Sequence, residues 1–160
     1  MSSMRIEVDD LTSPAVESLV QIHLEGMHDT SPAESVHALG IAKLRASDIT
    51  VWAAWEFSEL LGIGALHLPL GSTEGEVKSM RTHPDHLGQR VGRAILRHIV
   101  SDARTKALTR LSLETGTDAS FIPAHNLYVS EGFVPCGPFG SYKEDPYSRY
   151  FTLALTDSNT

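Results

Sequence analysis

Glu76-Val77-Lys78-Ser79-Met80-Arg81-Thr82-His83-Pro84-Asp85-His86-Leu87-Gly88-Gln89-Arg90-Val91-Gly92-Arg93-Ala94 reads as a strand, a turn marked by proline, and glycines entering a helix. A helix N-terminus offers N–H groups without intrahelical acceptors and a partial positive charge, and glycines let backbone approach a phosphate closely. The segment therefore has the makeup of a pyrophosphate site. It lacks the terminal Lys-Ser/Thr of the nucleoside-triphosphate loop, and its glycine spacing only partly matches the dinucleotide pattern. Spacing alone leaves an ordinary glycine-bearing turn as the competing reading.

Downstream, a helix is expected from about Gly88 to Ala107. Val91, Ala94, Ile95 and Ile99 fall on one face, and Arg90, Arg93, Arg97 and Arg104 on the other. Between Lys78 and Arg110 the chain carries eight of its thirteen basic residues against only Asp85 and Asp102, a local net charge of +6. The whole chain is at -7, which leaves -13 for the remainder. A long polyanion would meet repulsion from that remainder, so nucleic acid is not expected as a partner; a small polyphosphate suits the local excess better. A solvated basic helix face is the plainer alternative.

Working outward, Met4 to Val8 reads as a strand, and Ser13-Pro14 opens a helix whose apolar residues are Val16, Leu19, Val20, Leu24 and Met27. Ser31-Pro32-Ala33-Glu34 has the form of a capping box and predicts a second helix through about Ala46. Ile49 to Phe57, Leu60 to Leu68 and Glu74 to Thr82 read as an antiparallel meander of strands. After the basic helix come a strand at Leu111 to Thr115, a helix at Ser120 to Ser130, and strands at Phe133 to Cys136 and Tyr147 to Leu155. The expected order is βααβββαβαββ, an α+β fold with a mixed, mostly antiparallel sheet flanked by helices.

At 160 residues, with 41% hydrophobic and 21% charged residues, the expectation is one domain spanning 1-160. No apolar run approaches membrane-spanning length, and Met1-Ser2-Ser3-Met4-Arg5 lacks the apolar stretch of a secretory signal, so a cytoplasmic protein without membrane association is expected. The single cysteine, Cys136, can form neither an internal disulfide nor a thiolate zinc site, and no metal is expected.

Two segments resemble the GNAT superfamily of N-acetyltransferases. Thr82-x-Pro84-x-x-Leu87-Gly88-x-Arg90-x-Gly92 corresponds to the family's acetyl-CoA loop, and Ala124-x-x-Leu127-Tyr128-x-x-x-Gly132-Phe133 to its later helix and strand. The resemblance spans roughly Glu74 to Leu155. Ser79-Met80-Arg81-Thr82, Arg110-Leu111-Ser112-Leu113-Glu114-Thr115-Gly116 and Asp145-Pro146 are similar to the bacterial YsnE-like branch. Leu87 stands where the family signature has Gln or Arg, Arg90 where it requires its first glycine, and Phe121 where asparagine is frequent.

The resemblance implies acetyl-CoA as co-substrate. Backbone N–H groups of Gly88, Gln89, Arg90, Val91, Gly92, Arg93 and Ala94, with Leu87 at the loop's start, would hold the pyrophosphate. The free edge of Met80, Arg81 and Thr82 would pair with pantetheine as an added strand, and the Met80 N–H would polarise the thioester carbonyl.

An alkylamine with a pKa near ~10 is mostly protonated at neutral pH, so transfer to it benefits from a base. Glu76 matches a family glutamate and, counting by twos along a strand, shares a face with Met80. Glu114 is the rival, followed by His67 and His83; ordinary ion-pair or exposed roles are the alternatives. Tyr128 matches the family's thiol-side tyrosine and is read as the general acid for the leaving thiolate, against a core-aromatic role. Cys136 has no basic sequence neighbour, which speaks against an acetyl-cysteine route.

The acceptor is an unnamed small-molecule or peptide amine. The acidity outside the basic window favours a cationic one, and Phe139, Tyr142 and Tyr147 are candidates to line its pocket. The expected enzyme transfers acetyl directly in a ternary complex and admits a homodimer. The competing class is a non-catalytic acyl-CoA-binding or regulatory module that lost turnover through Leu87 and Arg90.

Overall fold

The computed structural model of the chain describes residues 4–36 and 39–155. Its elements are β1 (Met4–Val8), α1 (Pro14–Thr30), α2 (Ile41–Leu44), β2 (Ile49–Glu56), β3 (Glu59–His67), β4 (Glu74–Thr82), α3 (Val91–Thr105), β5 (Arg110–Gly116), α4 (Ile122–Ser130), β6 (Val134–Cys136) and β7 (Ser148–Ala154). Short 3₁₀ turns occur at Ala33–Ser35, Pro84–His86 and Ala119–Phe121. The seven strands form one sheet ordered β1-β2-β3-β4-β5-β7-β6. Only β4 and β5 pair in parallel; the other neighbours are antiparallel. None of the helices is long and apolar enough to cross a membrane among the described residues.

Apolar periodicity assigns a helix layer to each face of the sheet. Val16, Leu19 and Val20 of α1 and Leu44 of α2 pack with Val51, Ala53, Ile63 and Ala65 on one face. Ile95, Leu96 and Ile99 of α3 and Tyr128 of α4 pack with Trp52, Val77, Leu113 and Phe151 on the other. Helix α3 lies directly on the backbone of β3. A Cβ on Gly64 would stand 2.6 Å from Ile95 Cγ2, and one on Gly62 2.8 Å from Val91 Cγ1, so neither position has room for a side chain.

Local signals set the helix starts where the fold agrees with them. Ser13 Oγ accepts from the Val16 N–H at 3.2 Å, with Pro14 in the first turn of α1. The helix expected from Ser31 to Ala46 does not form as one element. Pro32 is extended (φ -60, ψ 151), one 3₁₀ turn follows, and Val36 is extended again (φ -91, ψ 117). Gly40 then caps the short α2. A glycine inside a helix costs about 1 kcal/mol relative to alanine, so the chain breaks there rather than continuing through it. His37 and Ala38, part of that expected helix, lie outside the described residues, as do Met1, Ser2 and Ser3 of the N-terminal stretch discussed above.

Candidate active site

Strands β4 and β5 pair only over Glu74–Val77 against Arg110–Leu113. Past that point β5 stays with β7 and β4 stays with β3, so the two centre strands part. The departure coincides with a β-bulge. Lys78 pairs with Ala65 and Arg81 with Ile63, which leaves Ser79 and Met80 together opposite Gly64. Ser79 supplies the bend with φ 54. The parted strands open onto a cavity of about 1040 Å³ that reaches from α1 to the start of α3. Glu76, Tyr128 and all the expected cofactor-binding residues except Gln89 and Ala94 border it, as does Glu114, while His67 and His83 do not.

At one end stands the turn into α3. Gly88 (φ 78) and Arg90 (φ 63) are both left-handed, and Arg90 is the helix N-cap. Among the described residues the first N–H of the segment to find a backbone acceptor is that of Ala94, bonded to Arg90 O at 3.1 Å. The N–H groups of Gly88 to Arg93 stay open to an anion, and Ala94 drops out of the expected donor set because its own is already used. Helix α3 begins at Val91 rather than Gly88 because Arg90 leaves the helical region.

The basic face of α3 is less free than its sequence suggests. Arg97 Nε and Nη2 donate to Glu131 at 2.7 and 3.0 Å, and Arg93 Nη1 donates to the same carboxylate and to Ser130 Oγ at 3.0 Å. The Arg97 hydrogen bonds hold the Glu131 carboxyl below its ordinary range, with Arg93 adding to the effect. Arg104 donates to Leu155 O at 3.1 Å. Arg90, exposed at the cavity, has no ion-pair partner among the described residues.

In the middle lie Met80 and Tyr128. The Tyr128 ring is buried against Phe133 and Phe151, at centroid distances of 5.9 and 6.0 Å. Burial pushes its phenol up to about 12, so the hydroxyl is a neutral donor at physiological pH.

Glu76 and Met80 do not share a face. The bulge adds one residue between them: Met80 packs with the α3 core, while Glu76 pairs with His67 on the face that carries Ala65 and α1. There Glu76 accepts from Lys78 Nζ at 3.1 Å and from the Tyr142 hydroxyl, and its Oε1 lies 3.8 Å from His67 Nδ1. His67 Nε2 meets Asp48 at 2.8 Å, which extends the network away from the cavity. Glu114 borders the cavity and accepts from Ser148 Oγ at 2.7 Å. His83 accepts from the Asp85 N–H in the turn after β4 and is not at the cavity. Cys136, in β6, is also away from it, with a thiol pushed up by burial.

On the α1 side, Arg81 Nε donates to Nδ1 of the buried His23 at 2.9 Å. Burial, then the positive charges of Arg81 and Lys78, hold that imidazole down to about 3, so it is neutral and can accept. Burial also lowers Arg81 from its ordinary value.

The acetyltransferase (GNAT) family matches residues 16–133. The chain belongs to that family. It is 51% identical to the uncharacterized N-acetyltransferase YedL of Escherichia coli K12 over 154 residues, 96% of each chain. It is also 51% identical to the uncharacterized N-acetyltransferase YsnE of Bacillus subtilis 168 over 152 residues, 95% of this chain and all of that one. The fold superposes on yncA of Salmonella typhimurium, a structure with its cofactor acetyl-CoA, with a TM-score of 0.72 at 18% identity, covering 99% and 98% of the two chains.

In this GNAT acyltransferase, the sequence reading missed the side chains that meet across the fold. His23 left a trace, as the one polar residue in the stripe Val16, Leu19, Val20, His23, Met27 of buried α1 positions. Phe139, Tyr142 and Tyr147, expected to line the acceptor pocket, do not border the cavity; Tyr142 instead donates to Glu76, a contact the sequence does not announce, and Glu131 carried no signal at all.

Proposed function

We propose that this chain is a single-domain, acetyl-CoA-dependent N-acetyltransferase that passes the acetyl group directly to an amine in a ternary complex. The observation that carries the reading is the parting of β4 from β5 at Ser79, with unbonded N–H groups of Gly88 to Arg93 at one end of the opening and Tyr128 within it. An anion-ready helix start beside a free strand edge fits a pyrophosphate joined to an extended amide chain. Bound there, acetyl-CoA supplies an activated acetyl thioester.

The chain's own groups do the rest. Gly88 to Arg93 hold the phosphates, with Arg90 adding charge, and the Met80 to Thr82 edge aligns the pantetheine. The Met80 N–H donates to the carbonyl oxygen as negative charge grows there. Glu76, on the α1 face, removes the amine's proton directly or through water, freeing the lone pair that forms the C–N bond. As the C–S bond breaks, Tyr128 gives its proton to sulfur. Lys78 and Tyr142 fix the Glu76 carboxylate by the hydrogen bonds they donate.

The non-catalytic alternative rested on Leu87 and Arg90. Arg90 takes the left-handed conformation that a glycine would take, which supports a loop able to bind despite the substitution. The working protein is read as cytoplasmic, needing neither metal, membrane nor nucleic acid, and a homodimer is compatible with this chemistry. Thiol release from acetyl-CoA across an amine panel tests the reading. Turnover with any amine supports it. CoA binding, seen as a raised melting temperature, without turnover on any amine would return the protein to the acyl-CoA-binding class.

A further inference from the structure

Arg81 is a half-buried guanidinium that no carboxylate among the described residues pairs with. Its Nε is committed to neutral His23, and burial alone acts on its charge. Its far end lies against bare backbone: a Cβ at Gly26 would come within 3.0 Å of Nη2. The guanidinium is thus held from below by α1 while its side of the cavity stays open. The nearest other cation, Lys78, already has Glu76 and Tyr142 as partners. Arg93 and Arg97 at the other end are closed by Glu131, and Arg90, which also lacks a carboxylate, is exposed, so Arg81 is the cavity arginine that is both withdrawn from water and without a counter-ion among the described residues.

An unpaired guanidinium withdrawn from water is stable where an anion completes it, and its planar fork fits a carboxylate. The thioester's phosphates belong at the α3 end, because the unbonded N–H groups are there. Arg81 extends toward α1, on the face of β4 that carries Glu76. The anion it awaits therefore arrives with the acceptor.

We propose that the acceptor is a small amine that also carries a carboxylate, with Arg81 as its carboxylate anchor. The inference rests on the acetyltransferase reading and narrows its substrate class. It departs from the expectation of a purely cationic amine drawn from net charge: the α1 side of the cavity presents Arg81 together with Asp29 and Glu76, a setting for an acceptor that carries both charges. His23 is a positioning residue, since its neutral Nδ1 fixes the plane of the guanidinium.

The test uses the whole chain with CoA present and titrates N-acetyl derivatives of the proteinogenic α-amino acids, each beside its uncharged carboxamide, as product mimics. The expected result is at least one acid bound about 30-fold or more tightly than its amide, the discrimination typical of a lost partner to a buried charge. Arg81→Gln should abolish that preference, and Arg81→Lys should restore part of it. The wild-type comparison of acid with amide stands even if the variants do not fold. Equal binding of acids and amides, or no acid bound at millimolar concentration, overturns the proposal. So does an Arg81→Gln protein that keeps the acid preference, or one that loses CoA instead, which would assign Arg81 to the cofactor's phosphates. Thiol release is followed in parallel. Turnover of simple amines with no gain from a carboxylate overturns this inference and leaves the acetyltransferase reading standing. Acid-over-amide binding with no thiol release from any amine keeps the carboxylate site and removes the transfer reading.

Discussion

The phenolic hydroxyl of Tyr142 donates to Oε2 of Glu76, joining a loop residue to a strand residue 66 positions earlier. Burial, and then the Glu76 charge, raise the Tyr142 phenol above its ordinary value, so it is a neutral donor at physiological pH. Lys78 donates to both partners, to Glu76 at 3.1 Å and to the Tyr142 oxygen at 3.0 Å. The carboxylate is thereby fixed on its Oε2 side while Oε1 faces His67 at 3.8 Å.

Replacing Glu76 with Gln keeps the shape and removes the proton acceptor. The expected loss in kcat at neutral pH is about 10²–10⁴-fold, the usual range for a general base. The deficit should shrink as pH approaches the amine's own pKa, near ~10, because more acceptor is then already neutral. Profiles of kcat against pH for wild type and Glu76→Gln check this; parallel profiles would transfer the role to Glu114 or to water.

Tyr128→Phe leaves the ring packed on Phe133 and Phe151 and deletes one hydroxyl. Stability and KM for acetyl-CoA should hold, while kcat falls by about 10²–10⁴-fold where chemistry limits the rate. Steady-state kinetics with a melting curve separates the two effects. An unaltered kcat would make Tyr128 a core aromatic alone.

Arg90 holds φ 63 with a side chain that disfavours it. A left-handed L-residue costs roughly 1–2 kcal/mol, part of which glycine returns through its freer unfolded chain. Arg90→Gly should therefore exceed Arg90→Ala in stability by about 1 kcal/mol, or about 2–4 °C in Tm for a chain of this size. Both variants lose the guanidinium, so any rise in KM for acetyl-CoA should be common to them. Melting curves of the pair decide whether the backbone or the charge matters at this position.

His23 titrates at about 3 in the folded protein against 6.5 when free. A depressed histidine adds nothing above 6.5 but lets the unfolded chain take up a proton that the fold refuses below it. Stability should fall as the pH drops from 6.5 toward 3, by about 1.4 kcal/mol for each unit well inside that window, and more steeply than in His23→Gln. Urea unfolding of both proteins at several pH values measures the difference. Equal slopes would mean that the imidazole charges without hindrance.

Elements with strong local patterns were legible. Glu74–Thr82 and Met4–Val8 have the ends that their polar flanks predict. The helix expected at Ser31 failed because its capping signal speaks only for the first turn, while Val36 and Gly40 take extended conformations that interrupt it. In the site, Gly88, Arg90 to Arg93 and Tyr128 border the cavity, and they were legible as candidates because they belong to short continuous segments. The meeting of His23 with Arg81 spans 58 positions, and that of Arg97 with Glu131 spans 34, distances that only the folded sheet closes. The bulge was hidden because Ser79 adopts φ 54 without the glycine that ordinarily announces it.

That bulge divides β4 into two alphabets. Val77, Met80 and Thr82 spell out the side toward α3, and Glu76, Lys78 and Arg81 the side toward α1, with the count by twos broken at Ser79. On the proposed function the acceptor meets one set and the thioester the other, so a change of acceptor preference would leave the seat of the thioester in place. A graft of acceptor preference between relatives should therefore move positions 76, 78 and 81 together with residue 23. A transplant chosen by simple alternation, taking 76, 78 and 80, would carry one letter from the wrong side and leave Arg81 behind.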